Sequence, residues 1–292
     1  MTRSRYSVAS AALALGLAFA LVPATAGLMD GFVREVGSTV LTQVGKALPP
    51  VPAARHGDQE GKTFAGCEQV FPNGSAILSA GADSVSPQWK PYALCSRSFA
   101  VLYSGLTKTP LVVVERLNRS QMEQASGEPR TDLFYSDERI PSRARAELND
   151  YRGSGLHKGH MAPAANQPDR RAMNDSFALS NIVPQDPHNN QKVWSKVESD
   201  VRKYARRAQG NVYVFSGPIF KNEPRVIGRG KVWVPSHLYK LVHDASTERT
   251  WAYILPNTSD ARIDAPMDYV TFVREFGWDL LARTPATVAG SR

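Results

Sequence analysis

Two histidines and a lysine stand inside a run of small residues, Gly153-Ser154-Gly155-Leu156-His157-Lys158-Gly159-His160-Met161-Ala162-Pro163-Ala164-Ala165-Asn166. Gly and Pro punctuate helix and strand alike, so the run reads as a turn that delivers an imidazole to a defined place. Downstream, Asn190, Trp194, Glu198 and Arg202 recur at every fourth position. Phosphodiester hydrolysis needs a deprotonated water, charge to match the phosphoryl oxygens, and a stabilised leaving oxygen. His160 has the chemistry of a general base near neutral pH. Asn190 and Glu198 offer the oxygens that a hard cation such as Mg²⁺ needs, since that ion keeps most of its waters. Lys158 and Arg202 would place positive charge beside the phosphate.

Each residue also has a plainer job. His160 could bond a turn, Asn190 could cap a helix, and Glu198 with Arg202 could be an exposed pair of little energetic value. His157 and His160 lack a third partner for zinc. There is no Gly-x-Ser-x-Gly elbow and no His-Glu-x-x-His pair, which removes the commonest serine-hydrolase and zinc-peptidase signals.

The elements that must hold these residues follow from periodicity. Residues 99–103 and 111–115 are β-rich runs separated by Gly105 and Pro110, a strand pair. Residues 118–150 form a basic segment with Arg119, Arg130, Arg139, Arg143 and Arg145, following Arg116. It reads equally as a solvated loop or a nucleic-acid-facing one. Residues 177–183 read as a strand ending at Pro184. Asn189 or Asn190 can cap a helix running to about Gln209. Val193, Val197, Val201, Tyr204 and Ala208 share its buried stripe, leaving Asn190, Glu198 and Arg202 on a flank. Three strands (212–216, 231–242, 250–255) and a last helix (267–283) complete an α+β fold, a mostly antiparallel sheet flanked by helices.

The 292 residues carry a net charge of +8, which favours polyanionic partners. Residues 1–26 read as a secretory signal: Arg3 and Arg5, a short apolar run, then Ala24-Thr25-Ala26. An uncleaved anchor is the competing reading. Cleavage implies an exported, periplasmic or extracellular protein without stable membrane association. Cys67 and Cys95 would then form a disulfide, with two buried thiols as the alternative. Residues 28–48 repeat apolar positions at helical spacing, and 27–62 form this helix and a linker. Residues 63–284 make the main domain, with 285–292 as a disordered tail. The Gly61-Lys62-Thr63 stretch has the wrong glycine spacing for a phosphate loop.

Taken together, these motifs resemble the DNA/RNA non-specific endonucleases of the ββα-metal, or His-Me finger, superfamily. The resemblance lies in His157-Lys158-Gly159-His160-Met161-Ala162-Pro163, the lead-in Tyr151-Arg152-Gly153-Ser154-Gly155, and Leu179-Ser180-Asn181-Ile182-Val183-Pro184-Gln185. Asn190-Gln191, Trp194, Glu198, Arg202 and Phe215-Ser216-Gly217-Pro218 extend it over roughly residues 65–280. It implies His160 as general base, Asn190 as direct Mg²⁺ ligand with Mn²⁺ as a substitute, and Glu198 holding metal-bound water. It implies phosphate contact by Arg202 and substrate contact by Arg130, and gives Asn181 a part in orienting or binding at the site. DNA and RNA are the implied substrates, and homodimers are frequent in the family. His157 and Lys158 stand where the family has Asp-Arg, which sets the nuclease reading against a catalytically weak nucleic-acid-binding module. A phosphodiesterase for small nucleotides would use the same residues.

Overall fold

The computed structural model describes residues 61–282 except 74, 76, 78, 79, 128, 129, 131, 221 and 222. The leader, the 28–48 helix and the C-terminal tail lie outside the described residues. Strands β1 (Pro91–Cys95), β2 (Phe99–Ser104) and β3 (Thr109–Leu117) come first. Helices α1 (Arg119–Gln124) and α2 (Leu148–Tyr151) precede β4 (His157–His160), then α3 (Arg170–Ser176) and β5 (Ile182–Gln185). A π-helical turn, Asn189–Trp194, runs into α4 (Ser195–Arg207). Strands β6 (Val212–Ile219), β7 (Val226–Ile227), β8 (Val232–Trp233), β9 (His237–Asp244), β10 (Arg249–Pro256) and β11 (Met267–Asp268) lead to α5 (Tyr269–Phe276).

Among the described residues, seven strands form one sheet in the order β1-β2-β3-β6-β9-β10-β11, with antiparallel pairing throughout. The α+β expectation therefore holds. The central strands are apolar on both faces because both faces are covered. Ala100, Leu102, Val112, Val114, Phe215 and Leu241 face Phe272, Phe276 and Leu280. The alternate residues Val101, Tyr103, Val113, Val214 and Val242 face Trp194, Val197, Val201 and Ala205. The valine stripe of α4 is the one its spacing predicts.

Several boundaries differ from expectation. The 177–183 strand begins only at Ile182 and continues through Pro184, because β5 pairs with β4 in a separate two-stranded ribbon. A proline is tolerated in such a narrow ribbon, where a missing N–H has a free edge to face. The 231–242 run splits at Pro235 into β8 and β9. The last helix stops at Phe276, where Gly277 takes the left-handed conformation that closes a helix. The Cys67–Cys95 disulfide is formed and ties the segment before the sheet to edge strand β1. No helix among the described residues is long and apolar enough to cross a membrane.

Candidate functional site

The site is built on the β4–β5 ribbon and the helix that follows it. His157 pairs with Gln185, Lys158 with Pro184, Gly159 with Val183 and His160 with Ile182. Gly153 and Gly155 turn the chain into β4 through positive φ. Gly159 is required by close approach: a Cβ there would sit 1.9 Å from Gln185 Oε1. Bulk at that position would push His160 out of register.

Beyond the ribbon, Asp186 accepts from the main-chain N–H groups of His188 and Asn189 at 2.9 and 3.0 Å. Asp186 therefore satisfies the first helical donors, and neither asparagine caps the helix through its side chain. Asn190 is freed from capping, and its Nδ2 lies 3.4 Å from His157 Nδ1. The π-helical turn widens the helix at this point, a feature that concentrates at functional sites.

A cavity of about 540 Å³ collects His157, Lys158, His160, Asn190, Glu198, Arg202 and Arg130 on its walls. Residues far apart in sequence thus reach one space. Among the described residues, three of the lining side chains are cations, Arg130, Lys158 and Arg202, against one carboxylate, Glu198. The cavity is therefore suited to an anion. The Lys158 ammonium lies over the Phe134 ring, 4.9 Å from its centroid, and faces Tyr151 at 6.0 Å. Arg130 sits over Phe177 at 5.2 Å and pairs with Asp132. Of the six arginines expected on the basic segment, Arg130 alone lines the cavity; Arg139 and Arg145 are engaged by Asp137 and Glu147.

His160 packs against both the Phe134 and Phe177 rings, 5.3 and 5.0 Å away centroid to centroid, and those two rings meet each other at 5.0 Å. Burial there, aided by the Arg130 charge, lowers its pKa to about 3. The imidazole is thus neutral near pH 7, with a lone pair available. Among the described residues its buried Nε2 meets no hydrogen-bond partner, and neither does Glu198 Oε1. Burial raises the Glu198 pKa, while Lys240, Arg202 and Arg130 oppose that shift. Two orphaned buried polar atoms beside a side-chain amide are the donor chemistry a hydrated divalent cation satisfies, so these residues fit one.

Of the two parts expected of Asn181, contact with substrate is corrected by the structure. Asn181 is fully buried, away from the cavity, and its amide is spent inside the fold. Its Oδ1 accepts from Ala162 N at 2.9 Å, and its Nδ2 donates to Ala162 O and Ser176 O. It clamps the chain just after His160 and has no face left for substrate. Sequence reasoning also missed Glu115, Asn166 and Lys240, buried under the cavity. A carboxylate closing the apolar run 111–114 was the one signal available for the first of them.

A two-stranded ribbon packed on a helix, with a histidine and an asparagine facing one cationic cavity, defines a ββα-metal type of site. The family model for DNA/RNA non-specific endonucleases matches residues 81–276. The chain belongs to that family. Human mitochondrial endonuclease G is 38% identical over 174 residues, covering 55% of this chain and 58% of that protein. Human mitochondrial nuclease EXOG is 34% identical over 203 residues, covering 64% and 55%. Nuclease C1 of Cunninghamella echinulata var. echinulata is 32% identical over 204 residues, covering 64% and 78%. The crystal structure of an EndoG/EndoGI complex superimposes with a TM-score of 0.55 at 27% identity, covering 63% of this chain and 83% of that one. The match spans a little over half the length of the two human relatives. The comparisons also correct the expectation of export. Endonuclease G, EXOG and the fission-yeast nuclease 1 are named as mitochondrial, which points away from a periplasmic or extracellular destination.

Proposed function

We propose that this chain is a metal-dependent endonuclease that hydrolyses phosphodiester bonds of DNA and RNA with little base specificity. The observation that carries the reading is the convergence of His160, Asn190, Glu198 and Arg202 on one cation-rich cavity. A base-reading site needs donors and acceptors aimed at base edges, whereas Arg130, Lys158 and Arg202 match phosphate, which every sequence shares.

In this reading His160 accepts the proton of the attacking water through its neutral imidazole. Its weak basicity is set by the apolar walls of Phe134 and Phe177, which also keep bulk water from the ring. Asn190 would hold Mg²⁺, or Mn²⁺ in its place, directly and Glu198 would hold it through water; when bound, that ion supplies Lewis-acid stabilisation of the phosphoryl and leaving oxygens. Arg202 and Lys158 neutralise the remaining phosphate charge. Lysine gives a point charge where a guanidinium would give a planar fork, and the Phe134 and Tyr151 rings hold it in place.

The test is incubation of the purified chain with plasmid and with RNA, in Mg²⁺ and in EDTA, beside His160→Ala. Cutting of both by the parent in Mg²⁺ alone, lost in the variant, is the expected result. Gel shift without cleavage in Mg²⁺ and Mn²⁺ would replace the reading with a binding module. Turnover of bis-p-nitrophenyl phosphate unaffected by duplex DNA would replace it with a small-substrate phosphodiesterase.

A further inference from the structure

We infer that Glu115 is a positioning residue for Arg202, acting through the side-chain amide of Asn166. Glu115 lies on the central strand β3, between Phe99 of β2 and Val214 of β6, and is 1% exposed. Burying a carboxylate in the middle of a sheet is costly unless its oxygens are bonded. The bonds it makes lead to the cavity. Asn166 Nδ2 donates to both Glu115 oxygens, at 3.2 and 3.3 Å. Asn166 Oδ1 in turn accepts from Arg202 Nη1 at 3.2 Å.

The direction of this relay follows from what each group can do. Burial pushes the Glu115 acid up to about 7, while the Lys240 charge and the Asn166 bond favour its ionised form; in that form it only accepts, and a guanidinium only donates. An amide placed between them fits in one orientation alone, nitrogen to the acid and oxygen to the arginine. Glu115 therefore decides which end of Asn166 Arg202 meets. The neighbouring groups leave little slack. Gln167 Nε2 donates to Glu115 at 3.4 Å and to Pro163 O at 2.9 Å, while its Oε1 accepts from the Ser98 hydroxyl. Lys240 is the buried cation whose charge most favours the Glu115 carboxylate, and its ammonium bonds Ser216 Oγ at 2.6 Å and Met161 O at 3.4 Å, over the Trp194 ring.

The intervening amide has a second consequence. A direct Arg202–Glu115 pair would orient the guanidinium but cancel its charge. A neutral Asn166 orients it and leaves the charge for an anion in the cavity. The inference rests on the phosphodiester reading of that cavity, and its test separates the two.

The experiment is a double-mutant cycle between Glu115→Gln and Arg202→Ala, read in kcat with Mg²⁺ and in Kd for a short duplex in EDTA. In the Glu115→Gln variant the acceptor-only end is gone, so the Asn166 amide can turn over and present its nitrogen to Arg202. The single variant should lose about 10- to 100-fold in kcat with a smaller change in KM. That loss should vanish in the Arg202→Ala background. Losses that multiply in the double variant, or a single variant with the parent's kcat and Kd, overturn the inference. Should Glu115→Gln fail to fold, Asn166→Ala replaces it under the same criterion. A parent chain that binds duplex without cutting removes the nuclease reading, and the cycle in Kd still decides this one.

Discussion

Trp194 donates its indole N–H to the main-chain oxygen of His160 at 3.1 Å. The tryptophan is 1% exposed and stands on the turn that also carries Asn190. With Gln185 Nε2 donating to Asn189 Oδ1 at 2.6 Å, this buried bond ties the ribbon that offers the imidazole to the helix that offers the amide and the carboxylate. The facing of the two elements is set by the core and not by the loop between them.

Replacing that bond should therefore disturb chemistry more than binding. Trp194→Phe keeps an aromatic ring in the core but leaves a buried carbonyl unpaired, a cost of about 1–3 kcal/mol. Denaturant unfolding should show a loss in that range. Steady-state assays should show kcat falling with KM for a short duplex nearly unchanged. An unchanged kcat in a destabilised variant would separate the bond from the site.

The His160 environment has a signature in stability. Its pKa is held at about 3 in the fold against 6.5 for the free side chain. Between those values the unfolded chain binds a proton that the folded chain refuses, so stability falls as pH drops from about 6.5 towards 3. By pH 4.5 the loss from this group is about 3 kcal/mol. Urea midpoints at pH 7 and pH 4.5 should differ less for His160→Ala than for the parent. Equal differences would mean that the imidazole is not held neutral.

His157 and Asn190 share one wall of the cavity. Imidazole suits borderline metals, whereas carboxylate suits Mg²⁺. His157→Asp should lower the Mg²⁺ concentration for half-maximal binding by about tenfold, and Asn190→Ala should raise it by at least about tenfold. Calorimetric titration of each variant with Mg²⁺, without nucleic acid, reads both. An Asn190→Ala isotherm that overlays the parent's would remove the amide from the metal site.

The disulfide closes a loop of 28 residues remote from the cavity. The chain-entropy relation assigns such a loop about 3.6 kcal/mol, exerted through the unfolded state. Cys67→Ala with Cys95→Ala should lower the unfolding free energy by about that amount and leave kcat at 25 °C within about twofold. A fall in kcat without loss of stability would place the bridge in the catalytic architecture.

Much of this molecule was legible in one dimension. The strand pair at 99–115, the valine stripe of α4 and the glycine turn at 153–155 are local properties. Each depends on residues within a few positions of one another, through side-chain period and the punctuation of Gly and Pro. By contrast His157–His160, expected as part of that turn, is strand β4, made by its pairing with β5. The residue types at 157–160 and at 190, 194, 198 and 202 likewise limited the chemistry to proton transfer, cation binding and phosphate contact.

What those residues meet was decided only in the folded chain. Asn190 could have been a cap until Asp186 took that place. Asn181 could have faced substrate until its amide closed on Ala162 and Ser176. Glu115 reaches Arg202 across a sheet, a turn and a helix, through an asparagine 51 residues away in sequence. Such partnerships join segments whose separation carries no periodic signal. A buried acceptor must find a donor wherever packing brings one within reach, and that reach is a property of the tertiary structure alone.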